Sequence, residues 1–152
     1  MHYVIEEGTN EVVLVLLHAM GGDATSLFGL AAKLDPEATR FGIEGQVFEE
    51  GERRYFERFI DKSFVPASLE ENTRRVYAQI EQVVQEQGWG ARKLVVVGEA
   101  TGANVEQNML KLYETTWAGM VLFHPSLTRP FVPFREQVGL KLLITYGIAD
   151  PY

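Results

Sequence analysis

The sequence predicts an α/β fold, a three-layer sandwich built on a parallel sheet of about five strands. Three observations carry this. Short, continuous apolar runs rich in β-branched residues fall at 12–17, 93–97 and 120–123, the signature of strands buried on both faces. Helix-like stretches separate the runs, and strands alternating with helices pair in parallel through βαβ crossovers. Glycine- and proline-bearing turns then follow the carboxyl ends of the runs, at His18-Ala19-Met20-Gly21-Gly22-Asp23, Gly98-Glu99-Ala100-Thr101-Gly102 and His124-Pro125.

In chain order, residues 12–17 read as the first buried strand. Asp23 is placed to cap a helix over roughly 24–33, Pro36 ends that connection, and a weaker strand follows near 39–43. Residues 45–63 read as a long loop with four aromatics, Phe48, Tyr55, Phe56 and Phe59; loops of this length are commonly functional. Pro66 and Ser68 open the clearest helix. Ser68 and Glu71 have capping-box spacing, and Leu69, Thr73, Val76, Ile80, Val83 and Val84 share one stripe. Gly88 is placed to stop it as a left-handed residue. The run 93–97 and its Gly-x-x-x-Gly turn come next, then a helix over 103–113 with Val105, Met109 and Leu112 on one face. Residues 120–123 and 140–146 read as the last two strands.

Composition excludes several classes. Lys and Arg number 14 against 21 Asp and Glu, a net charge of −7, which disfavours nucleic acid or an anionic membrane surface as partner. Without cysteine, disulfides and thiol chemistry are excluded, and a cytoplasmic location is expected. His2, His18 and His124 do not combine with Asp23 and Asp150 at metal-ligand spacing, so no metal is expected. A flavin is not expected either: the first turn lacks a Ser/Thr-rich phosphate cradle, and Asp23 stands where an anion would sit. No cofactor is assigned.

The turn at 98–102 is the most informative feature. Strand, Gly-x-x-x-Gly, helix is the setting of a nucleophile elbow, whose central residue is normally serine. Here that residue is Ala100. Gly98 and Gly102 keep the turn small enough for close backbone approach. Thr101, one residue past the apex, and Ser26, in a first helical turn, are poor substitutes as nucleophile.

Leu16 to Asp23, Asp35-Pro36, Gly45 to Gly51 with Arg54-Tyr55-Phe56, the 98–104 turn, Phe123-His124-Pro125 and Asp150-Pro151 together resemble the phospholipase/carboxylesterase branch of the α/β-hydrolase family. The resemblance implies strand order 2-1-3-4-5, with residues 1–152 a single, truncated α/β-hydrolase domain lacking the family's final strand and closing helix. It places Ala100 at the vacant nucleophile position and Asp150 at that of the triad aspartate; the triad histidine would follow Asp150. It implies the backbone N–H groups of Thr101 and Met20 as oxyanion donors. His18, Phe48, Tyr55, Phe56 and His124 are expected to line a pocket for a small ester or acyl ligand. Glu99, Thr101 and Glu44 also differ from the residues expected by that resemblance, which favours natural divergence at Ala100 over an engineered change.

Three readings of function follow. The first is a hydrolase-like domain without catalysis, retained for ligand binding. The second is an active serine carboxylesterase or thioesterase, present here in altered and shortened form. The third is a protein-interaction module. An uncovered last strand leads one to expect a homo-oligomer, or a partner covering the sheet edge.

Overall fold

The computed structural model describes residues 1–148. Its eleven elements are β1 (Tyr3–Glu6), β2 (Val12–Leu17), α1 (Phe28–Leu34), β3 (Thr39–Ile43), β4 (Val47–Glu49), β5 (Glu52–Arg54), α2 (Pro66–Gln87), β6 (Lys93–Glu99), α3 (Thr101–Leu112), β7 (Gly119–Phe123) and β8 (Lys141–Thr145). Six strands form one sheet in the order β1-β3-β2-β6-β7-β8. Its five parallel strands, β3-β2-β6-β7-β8, have the 2-1-3-4-5 order, and β1 adds an antiparallel edge against β3.

The period-2 alternation of strand side chains divides the core. Val13, Val15, Leu17, Leu94, Val96, Met120 and Leu122 pack on one face with Leu69, Val76, Ile80 and Val83 of α2 and Val105 and Met109 of α3. Leu14, Leu16 and Val97 point to the other face, against Leu27 and Ala31 around α1. The three layers are therefore unequal. A 22-residue and a 12-residue helix cover one face, and a seven-residue helix serves the other. Leu142 and Ile144 of β8, in register with Met120 and Leu122 on the α2–α3 face, and Leu143, in register with Val121 on the other, all remain about half exposed, and β8 has a hydrogen-bonded neighbour on one edge alone among the described residues.

The structure corrects three local readings. Residues 45–63 are not a plain loop, because β4 and β5 pair antiparallel through Glu50-Gly51, both at positive φ (52° and 78°), as a tight hairpin turn requires. Asp23 caps a turn and not α1: its Oδ1 accepts from the Thr25 N–H at 2.8 Å, and the helix begins after Leu27. At α2, Val65 is the N-cap and Pro66 takes the first position; the Ser68 hydroxyl instead accepts from the Glu57 N–H at 2.9 Å. Gly88 does end that helix, at φ 70°. No helix among the described residues is long and apolar enough to cross a membrane.

Helix α3 is buried nearly all round, which a polar stripe at i, i+3, i+4, i+7 makes workable. Asn104, Gln107, Asn108 and Lys111 are buried because the segment after β7 lies on them. Asn104 Oδ1 accepts from the Ser126 N–H (2.7 Å). Gln107 accepts from the Thr128 N–H and hydroxyl (both 2.9 Å) and donates to Ser126 O (3.0 Å). Asn108 joins Thr73 of α2 to Arg129, and Lys111 donates to the Arg129 carbonyl at 2.8 Å. Each buried polar group left without a partner costs about 1–3 kcal/mol. Gln107→Ala orphans the buried Thr128 donors and should lower the unfolding free energy by about 2–4 kcal/mol on that scale, read from urea denaturation. Faster amide exchange over 126–129 should accompany the loss.

Candidate active site

Strand β6 ends at Glu99 and α3 begins at Thr101, so Ala100 makes the whole turn. It does so at φ 51°, ψ −109°, a region that costs a non-glycine residue roughly 1–3 kcal/mol. Its N–H donates to Phe123 O at 2.8 Å, and its carbonyl accepts from the Asn104 N–H at 3.0 Å. The flanking glycines make the turn sterically feasible. A Cβ on Gly98 would lie 2.0 Å from Glu106 Oε1 and 2.7 Å from Ala103 N, and one on Gly102 would lie 2.2 Å from Leu17 O.

Beside the apex is a cleft of about 440 Å³. Ala100, Thr101 and Asn104 come from the β6–α3 junction, Met20 from the turn after β2, and His124, Ser126 and Thr128 from the segment after β7. Phe56, Arg58, Lys62, Ser63 and Phe64 complete the wall from the stretch leading into α2. Every contributing segment except that last one follows the carboxyl end of a parallel strand, the position where open α/β sheets bind ligands. Thr101 N–H opens α3 and Met20 N–H lies in a turn; among the described residues neither donates to a protein acceptor. The positive end of the α3 dipole adds to them.

Of the residues expected to line the pocket, Phe56 and His124 do so. His18, Tyr55 and Phe48 do not line this cleft. His18 is fully buried and bonded at both ring nitrogens: Nδ1–H donates to Ala19 O (2.6 Å), and Nε2 accepts from the Gly45 N–H (3.0 Å). Its own N–H donates to the Tyr55 hydroxyl (3.0 Å), which donates to Ile43 O (2.6 Å), and the two rings stack at 4.6 Å. This cluster ties the turn after β2 to the end of β3. Burial pushes the His18 pKa down, so the neutral ring is the one the fold holds. Phe48 is 65% exposed on the β4–β5 hairpin and packs near Arg53, because alternation along so short a strand turns it outward. Asp150 lies outside the described residues.

Arg58, Lys62 and Phe64 carry no motif, and the sequence reading did not single them out. The signal available was their place beside the aromatics of 48–59. Arg58 donates through Nη2 to Met20 Sδ at 3.1 Å, and its buried Nε has no acceptor. Lys62 pairs with Glu50 at 3.3 Å, both largely exposed. Among the described residues no three or more His, Asp or Glu are grouped to hold a metal ion.

Comparison with known proteins agrees with this geometry. The chain is 30% identical over 151 residues to the "Putative hydrolase MhqD" of Bacillus subtilis (strain 168), covering 99% of this chain and 76% of that protein. It superimposes on the carboxylesterase of Bacillus cereus with a TM-score of 0.91 at 30% identity, covering 98% of this chain and 71% of that one. The carboxylesterase of Mesorhizobium loti gives 0.86 at 27% identity, over 94% and 68% of the two chains. No protein-family model matches the chain.

One group beneath the apex stands apart. Glu106 of α3 is fully buried, and neither carboxylate oxygen has a hydrogen-bond partner. Burial raises its pKa well above the ordinary glutamate value, so the fold binds this proton more tightly than the unfolded chain does. Stability from that proton is fully present below the ordinary carboxyl range and is lost as pH rises towards the elevated native value. Glu106→Gln should therefore match the wild type in thermal midpoint near pH 4 and exceed it by a growing margin up to pH 9. A margin independent of pH in a differential scanning series would show that Glu106 does not titrate in this way.

Proposed function

The chain belongs to the carboxylesterase branch of the α/β-hydrolase family, and on that premise we propose that its cleft binds a small ester or acyl ligand without hydrolysing it. One observation carries the reading. The apex keeps the strained conformation of a nucleophile elbow, φ 51° and ψ −109°, yet presents a methyl group. In this fold an ester is opened when a lone pair at the apex attacks its carbonyl carbon. Ala100 has no lone pair, whatever other groups the protein brings to the site. Main-chain donors do not depend on that side chain. The N–H groups of Thr101 and Met20 remain available to hold a carbonyl oxygen, in the manner of an oxyanion hole. Such donors and binding alone give about 10³–10⁴-fold over water, far below ordinary turnover. What supports retention for binding is the cleft itself, with Met20, Phe56 and Phe64 as an apolar wall facing the donors.

The test pairs two measurements. The wild-type chain should show no burst with p-nitrophenyl acetate and no labelling by a serine-directed fluorophosphonate. Methyl octanoate should raise its thermal midpoint, a ligand at 100 times its Kd adding about 2.7 kcal/mol. A stoichiometric acyl-enzyme burst would overturn the reading.

A second reading rests on β8. This strand has one free edge among the described residues, and Leu142, Leu143 and Ile144 are about half exposed. Together they suit antiparallel pairing with β8 of a second copy. The 152-residue chain should then run as a dimer by size-exclusion chromatography with light scattering, and Leu143→Lys should shift it towards monomer. A monomer at tens of micromolar would end that reading.

A further inference from the structure

We infer that the ligand of this cleft carries a carboxylate, with the Arg58 guanidinium as its counter-charge. The inference deepens the binding function proposed above and rests on it. Charge matching elsewhere in the molecule makes Arg58 stand out. In a chain of net charge −7, Arg40, Arg53, Arg54, Arg74, Arg75, Arg92 and Arg129 each lie within 4.0 Å of a carboxylate. Arg58 has none among the described residues. Arg135 shares that lack, but it is exposed, where water serves a guanidinium well.

Arg58 is not so placed. It is half-buried, its Nε is buried without an acceptor, and its Nη2 meets only the Met20 thioether, a weak acceptor, at 3.1 Å. Arg40 and Arg54 also bury an Nε without a partner, but each has a glutamate within 4.0 Å, which Arg58 lacks among the described residues. The neighbouring charges are already occupied: Lys62 is matched by Glu50, and Glu49 by Arg54. The contact with Met20 also fixes where the free charge lies, next to the turn that borders the cleft. Main-chain donors at Met20 and Thr101 and a planar guanidinium thus converge on one cleft. A carboxylate accepts from such a fork in two parallel hydrogen bonds.

The remaining wall says what the carboxylate is attached to. Met20, Phe56 and Phe64 offer an apolar surface that an inorganic anion would leave uncovered, whereas the chain of an acyl acid covers it. A neutral ester would fill the same volume and leave Arg58 desolvated and unmatched, a costly state for a buried charge. The ligand class is therefore an acyl carboxylate.

Isothermal titration of the full chain with sodium octanoate and with methyl octanoate separates the possibilities. Octanoate should bind the wild type about tenfold or more tightly than the ester, and weaken in 0.5 M NaCl as a charge-assisted contact does. Arg58→Gln should weaken octanoate about tenfold and bind methyl octanoate at least as tightly as the wild type does, since no unmatched charge is then desolvated, with Arg58→Lys intermediate for octanoate because a point charge lacks the fork. Methyl octanoate binding reports that the variants are folded. The wild-type comparison and its salt dependence need no variant at all. Equal affinity for the two ligands, or octanoate binding indifferent to salt and to Arg58→Gln, would overturn the carboxylate assignment and leave the binding function standing. Binding of neither ligand to the wild type would overturn both.

Discussion

Helix α3 must leave β6 within one residue while lying against the ends of β2 and β6, and two missing Cβ atoms permit this. With Leu17 O 2.2 Å from where a Gly102 side chain would begin, and Glu106 Oε1 2.0 Å from that of Gly98, neither position tolerates even alanine without moving the helix. The approach places the amino end of α3 at the carboxyl edge of the sheet. It also forces Ala100 to positive φ. The strain is local, but its support is spread across the fold. Phe123 O on β7 holds the Ala100 N–H, so the register of a neighbouring strand fixes the apex.

The same close approach explains why α3 is buried on sides that a surface helix would give to water. Its apolar positions meet α2 and the sheet, and its polar stripe meets the segment after β7 instead of solvent. That segment contributes His124, Ser126 and Thr128 to the cleft. Helix α3 thus acts twice on the site: its amino end follows the apex and supplies the Thr101 N–H, and its polar stripe positions one wall. The other wall is fixed independently by the His18–Tyr55 pair, which ties the Met20 turn to β3 and to the residues leading to Phe56.

What could be read from the sequence follows from what each feature depends on. Buried parallel strands show as continuous apolar runs, so β2, β6, β7 and β8 were legible and β3 more faintly, as was the tight turn between two glycines; the strand order followed from the family resemblance and not from the runs. Strand β1 and the β4–β5 hairpin were not. Tyr3–Glu6 is short and terminal, and Glu50-Gly51 turns the hairpin without the Asn-Gly or Asp-Gly that usually announces one. The pocket aromatics were read from type and not direction: Phe56 and His124 face the cleft, while Tyr55 turns its hydroxyl into the core and Phe48 faces solvent. Arg58 was invisible for a different reason. A lone arginine among loop aromatics has no periodicity or motif; its meaning arises only when the neighbouring Glu49 and Glu50 are seen to be paired with other groups.

Charge then links the two halves of the site. Below the apex, burial raises the pKa of Glu106 and so favours the uncharged acid under the α3 amino end over an anion that would offset the dipole and main-chain donors. Above it, Arg58 lies beside Met20 without a carboxylate among the described residues. An ionised Glu106 would oppose an anionic guest and cancel part of that field; a neutral one leaves it intact. The net charge of the chain is strongly negative, yet the cleft is bordered by a guanidinium, a helix amino terminus and two N–H groups without a protein acceptor among the described residues. Local arrangement, and not overall composition, sets the charge that borders the cleft.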